Sequence, residues 1–211
     1  MPASAKICGI STPETLDAAV AGGASHVGFV FFPPSPRAVD FDRAAALAAR
    51  TPGHMKRVGV FVNPCDALLE RAIAAGRLDV VQLHDTAPNR AAAIRARQAK
   101  EIWAAVPIRT RADLASAGKY RDAADRLVYD AKTPPGALPG GMGLRFDWAL
   151  LDGFADPLPW ILSGGLDPAN VAEAIGRTGA RMVDVSSGVE SSPGAKDAGL
   201  ITAFLQAVAN T

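Results

Sequence analysis

Short β-branched or apolar runs alternate with alanine-rich segments from one end of the chain to the other, and this alternation limits the possible folds more than any single motif. The strand candidates are AKICGI (5–10), HVGFVFF (26–32), RVGVFV (57–62), DVVQLH (79–84), EIWAAVP (101–107), RLVYDA (126–131), PWILSG (159–164) and RMVDVSS (181–187). Helical patterns lie between them. STPETLDAAVAGG carries a Ser/Thr cap, a proline in the first turn and glycines at its end, and VNPCDALLERAIAAG repeats that design with Asn63, Pro64 and Gly76. FDRAAALAAR, PNRAAAIRARQ, RADLASAGKY, FDWALLDG, DPANVAEAIGR and KDAGLITAFLQAVAN continue the series. Eight such units in 211 residues predict an α/β fold, a (β/α)₈ TIM barrel forming a single domain over residues 1–211. A doubly wound open sheet fits less well: it would want a glycine-rich G-x-G-x-x-G turn after its first strand, and CGISTP is not one.

Charge and cysteine usage narrow the chemistry. Lys and Arg number 22 against 21 Asp and Glu, with no block of one sign, so neither a nucleic acid nor an anionic membrane is an expected partner. The expected ligand is a small molecule. The two cysteines, Cys8 and Cys65, have no CxxC spacing, and no secretory leader precedes AKICGI, so a cytoplasmic setting is expected. No apolar run approaches the roughly 20 residues that span a bilayer. His26, His54 and His84 are scattered, and no metal site is expected.

A barrel should collect its chemistry at the carboxyl ends of its strands, where the strand-to-helix loops form one mouth. Those ends here read Cys8, Arg37, Asn63, His84, Arg109, Asp130, Ser163 with Gly164 and Gly165, then Asp184, Ser186, Ser187 and Gly188. Asn63 and Asp167 read best as helix caps. The two-residue period of a strand puts Lys6, Cys8 and Ile10 on one face and Arg126, Val128 and Asp130 on another. If these faces are the inner ones, a thiol and a carboxyl look into the mouth from well-separated strands. Cys8 taken alone reads first as a small buried hydrophobe, and Asp130 as either a hydrogen-bonded structural group or a functional acid. LSGGLDPANV and VDVSSGVE place glycines and hydroxyls before helix starts in the last two loops, the usual phosphate-binding corner of this fold. The stretch KTPPGALPGGMGLR (132–145) has no apolar period, and its place after the sixth strand predicts a lid.

The ordered motifs together resemble the phosphoribosylanthranilate isomerase family of tryptophan biosynthesis. They are KICGI (6–10), GFVFFPPSPR (28–37), VGVFVN (58–63), VVQLH (80–84), DAK (130–132), PGGMG (139–143), FDW (146–148), LSGGLDPANV (162–171) and VDVSSGVE (183–190). The resemblance implies Cys8 as general base, Asp130 as general acid and Arg37 as the clamp on the substrate's carboxylate. His84 joins the substrate-binding set, and Gly164, Gly165, Asp184, Ser186 and Ser187 fall on positions similar to the family's phosphate site. It implies a phosphorylated small-molecule substrate, no cofactor, and other tryptophan-pathway enzymes as possible partners. Two positions depart from the family's usual pattern: Asp85 stands where a glycine is common and Met142 where a small hydroxyl residue is common. A related sugar-phosphate isomerase would want a carboxylate at position 8, and an idle ligand sensor would not need both acid and base.

Overall fold

The computed structural model describes residues 3–134 and 140–211. Eight parallel strands close into a barrel in strict chain order: β1 Ser4–Cys8, β2 His26–Val30, β3 Lys56–Val62, β4 Val80–His84, β5 Glu101–Ile108, β6 Arg126–Ala131, β7 Trp160–Leu162 and β8 Met182–Val185. Closure is made by β1 on β8, with Ser4 opposite Met182 and Ile7 opposite Val185. Around the ring stand α1 Pro13–Ala21, α2 Phe41–Arg50, α3 Asp66–Gly76, α4 Pro88–Gln98, α5 Val171–Thr178 and α6 Ala198–Ala209. No helix among the described residues is long and apolar enough to cross a membrane.

Side-chain alternation divides the core in two. Outward residues such as Ile7, Phe29, Phe61, Leu83, Tyr129 and Val183 pack against the helices. Inward residues including Val58, Val60, Val80, Trp103, Val128, Ile161 and Met182 fill the barrel itself. Apolar chains fill most of the barrel around the buried Lys6 and Asp184, and the other polar inward residues lie toward the mouth.

Three local details depart from the sequence reading. RADLASAGKY forms a 3₁₀ segment, Arg111–Tyr120, rather than an α-helix. Ser116 Oγ donates to the Asp113 carbonyl at 2.7 Å, and Gly118 follows, so the tighter i→i+3 turn takes the carbonyl that an α-helix would use. FDWALLDG likewise gives only a 3₁₀ turn, Trp148–Leu151. Finally, a hairpin of β9 Glu190–Ser192 and β10 Ala195–Lys196 stands between β8 and α6, where a short helix was expected. Only one 3₁₀ turn, Ser187–Val189, occupies the helical part of that expectation.

Candidate active site

Both inferred inner faces are inner. Cys8 sits among the barrel-filling side chains, and it lines with Asp130 a cavity of about 70 Å³ at the carboxyl end of the barrel. Ile10 does not share that face. Gly9 takes φ +78° and turns the chain directly after β1, so Ile10 is buried in the outer layer instead. Gly28 on β2 makes the close packing around the thiol possible: a Cβ there would stand 3.1 Å from Cys8 Sγ and 3.2 Å from Lys6 Cε.

Lys6 is fully buried one residue pair below Cys8, and its Nζ donates to Asp184 Oδ1 at 2.8 Å. Burial would lower this lysine, but Asp184 and Cys8 outweigh it and hold the ammonium above its ordinary value. Asp184, expected among the phosphate-binding positions, is the partner of this ammonium. Its carboxylate lies inside the barrel, taken up by Lys6 and by a longer contact from Ser163 Oγ at 3.4 Å, and a second anion would be repelled there. It lines the cavity beside Cys8 and Asp130 and also borders a neighbouring pocket with Gly165, Ser186 and Ser187.

Asp130 accepts the Ala131 N–H at 2.8 Å. Burial, helped by the Asp184 charge, pushes its carboxyl up to about 7, so a proton is present there near neutrality. Cys8 also moves up, because burial outweighs the attraction of Lys6. A resting thiol is therefore favoured, opposite to the depressed value that a thiolate base would suggest. His84 is neutral: burial and Lys6 bring it down to about 4. Its Nε2 stands 3.0 Å from Gln82 Nε2. Gln82 was missed by the sequence reading although its alternate position in VVQLH faces inward. Its Oε1 is buried in the cavity wall with no protein partner among the described residues.

Arg37 is 8% exposed and is gripped by a carboxylate of the protein itself. Its Nε donates to Glu190 Oε1 and its Nη2 to Glu190 Oε2, both at 2.7 Å, while Nη2 also donates to the Gly141 carbonyl at 2.9 Å. Arg37, Gly140 and Gly141 border the small cavity and also a second one of about 470 Å³. Gly165, Ser187 and Gly188 line that larger space. Consecutive glycines are required at the seventh strand's end. Gly164 and Gly165 take φ +87° and +62°, and a Cβ on Gly164 would sit 2.6 Å from the Ala131 amide nitrogen. Ser186 links the two regions, with its Oγ 3.5 Å from the Cys8 carbonyl and 3.4 Å from Lys196 Nζ.

The departures from the family pattern acquire a local account. Asp85 takes φ +46°, a left-handed conformation that glycine adopts without strain and aspartate tolerates. Met142 is exposed at the rim of the larger cavity. Cys65 is exposed at the start of α3, and Asn63 does not cap that helix. The expected lid, 132–145, lies partly outside the described residues. Of its described part, Gly140 approaches Asp130 and Gly141 approaches Arg37.

A family model for N-(5′-phosphoribosyl)anthranilate isomerase matches residues 5–207. The chain belongs to that isomerase family. An N-(5′-phosphoribosyl)anthranilate isomerase of Zymomonas mobilis subsp. pomaceae is 55% identical over 210 residues, covering 99% of each chain. The crystal structure of phosphoribosyl anthranilate isomerase from Thermotoga maritima superposes with a TM-score of 0.88 at 34% identity, over 99% of this chain and 100% of that one. A crystal structure of the isomerase in complex with reduced 1-(o-carboxyphenylamino)-1-deoxyribulose 5-phosphate gives 0.86 at 33% identity, again over 99% and 100%. Gln82, Glu190 and Lys196 border or support the same region and were left out by sequence reasoning.

Proposed function

We propose that this chain catalyses the Amadori rearrangement of N-(5′-phosphoribosyl)anthranilate to 1-(2-carboxyphenylamino)-1-deoxyribulose 5-phosphate, with Asp130 as acid and Cys8 as base. The observation that carries the reading is the pairing of a raised carboxyl with a thiol across one cavity at the barrel mouth. Asp130 gives its proton to the furanose ring oxygen as the bond from that oxygen to C1′ breaks, leaving an iminium. The Cys8 thiolate then takes the C2′ proton, and the C2′–H electrons form the enolamine while the nitrogen is neutralised. Proton transfer from the C2′ hydroxyl and to C1′ completes the aminoketose. The positive iminium beside Cys8 favours the thiolate that burial alone opposes.

Arg37 suits the anthranilate carboxylate, because a guanidinium fork matches a planar carboxylate. Gly165 and Ser187, with the amides of the last two loops, suit the phosphate at the other end. Two anchored ends hold C2′ against the base, which converts binding energy into rate. His84 and Gln82 supply neutral hydrogen-bonding groups along the sugar. An exposed free thiol at Cys65 supports a reducing, cytosolic setting. A place beside other tryptophan-pathway enzymes rests on family resemblance, and co-elution from a gently lysed extract tests it.

The purified protein should consume freshly made phosphoribosylanthranilate with loss of the substrate's fluorescence. Cys8→Ser and Asp130→Asn should each cut kcat by about three orders of magnitude or more while a reduced product analogue still binds. Near-normal kcat in Cys8→Ser would mean that another group takes the C2′ proton.

A further inference from the structure

The hairpin after β8 carries charges that the acid–base scheme leaves without a role. Glu190 opens β9 and spends both carboxylate oxygens on one edge of Arg37, the edge formed by Nε and Nη2. Lys196, at the end of β10, donates to Glu190 Oε1 from the other strand of the same hairpin. The Arg37, Glu190 and Lys196 side chains are only 10%, 4% and 1% exposed. Burial alone would raise Glu190, yet the hydrogen bonds from Arg37 and Lys196 hold its carboxyl below the ordinary range, so it is ionised. Burial pulls Lys196 below its ordinary value, and the hydrogen bond and charge of Glu190 offset part of this; with Lys196 as the ammonium, two cations and one anion give this buried cluster one net positive charge. The Lys6–Asp184 pair inside the barrel is neutral in itself. Arg37 Nη1 makes no hydrogen bond among the described residues and faces Gly141, where even a Cβ would come within 2.5 Å.

We propose that Glu190 is a positioning residue for substrate-carboxylate recognition: it holds the Nε–Nη2 edge of Arg37, directs the remaining Nη1 side of the fork toward the ligand, and with Lys196 sets a local charge that one incoming carboxylate neutralises. This rests on the reading of Arg37 given above. Geometry favours a supporting role over direct contact, since both Glu190 oxygens are already engaged and a second carboxylate beside them would be repelled. The charge favours it too. With Glu190 ionised, the pocket takes up one carboxylate to reach neutrality, and burying an uncompensated cation is costly.

The test compares two ligands that differ only in the carboxylate: the reduced product analogue and its counterpart built from aniline. Glu190→Gln should weaken the carboxylated analogue by about tenfold or more and the aniline analogue by less than about twofold, raising KM with little change in kcat. Glu190→Asp, which keeps the charge on a shorter arm, should recover part of the loss; it carries the same comparison if Glu190→Gln fails to fold. Arg37→Ala serves as the control and should abolish discrimination between the ligands. If Arg37→Ala leaves discrimination intact, the reading of Arg37 falls and the proposal with it. If Arg37→Ala abolishes discrimination but the Glu190 variants keep it, or weaken both ligands equally, Glu190 is merely structural and the proposal alone is overturned. Tighter binding of the carboxylated analogue by Glu190→Gln would make Glu190 a competitor for the fork, which also overturns it.

Discussion

Two buried ion-pair systems share the mouth of the barrel, and they differ in whether their charges close. Lys6 and Asp184 form a one-to-one pair within the barrel, neutral without any ligand. Arg37, Glu190 and Lys196 form a rim cluster one positive charge in excess. The closed pair makes the interior tolerable for charge and sets the field on Cys8 and Asp130. The open cluster is complete only when an anion arrives. A third kind, Arg50 with Asp17, lies more than half exposed on the outer helices and serves neither purpose.

The difference is sharpest if one partner of the closed pair is removed. Lys6→Met keeps the volume but leaves the Asp184 carboxylate buried and uncompensated, and should cost about 3–5 kcal/mol of stability. Urea unfolding at neutral pH measures it; a loss under about 1 kcal/mol would put this pair in the class of the exposed ones.

The pH profile of kcat/KM tests the field that both systems create at the acid and base. Because Asp130 titrates near 7 and Cys8 is pushed above its ordinary value, the productive form, thiolate with protonated carboxyl, is a minority at every pH. Its population rises about tenfold per pH unit up to about 7, stays level, and falls only above the raised cysteine value. A profile that declines from pH 7 upward would place the cysteine below the carboxyl and contradict the burial argument. Stability should move the other way over the lower range. The native Asp130 retains a proton up to about 7 that the unfolded chain releases near 3.8, so the contribution of this group falls as pH rises through that window. Thermal melts of Asp130→Asn should lack this slope.

Smaller effects probe the open cluster and the surface. Gly141→Ala places a methyl group 2.5 Å from Arg37 Nη1 at φ +69°, and KM should rise by about tenfold while kcat is largely kept. Equal losses in kcat would tie Gly141 to Asp130 instead. Arg50→Ala should change stability by less than about 1 kcal/mol and leave steady-state kinetics as they are.

These contrasts also mark what could be read from the residues alone. Strand order, the barrel and the inward direction of Cys8 and Asp130 follow from a two-residue period and from loop positions, both local properties. Ile10 escaped that period because Gly9 ends the strand's geometry one residue earlier. The helical patterns at 111–120 and 147–152 were legible as helix but not as 3₁₀, since apolar spacing barely separates the two. The hairpin at Glu190–Lys196 was hidden by strands of three and two residues. Pairing was the part out of reach. Glu190 meets Arg37 across 153 positions and Asp184 meets Lys6 across 178, and no spacing rule relates residues so far apart.

The second of these separations bears on synthesis. Lys6 emerges from the ribosome 178 residues ahead of the carboxylate that makes its burial tolerable, and the strands that carry the two are the ones that seal the ring. Closing so long a loop comes late in assembly, so a nascent chain lacking β8 holds an ammonium with no counter-charge where the finished core will be. The first strand of the barrel therefore cannot settle into its final environment before β8 has been made, and a fragment arrested short of β8 should remain open and accessible to proteases and chaperones rather than persist as a partial barrel.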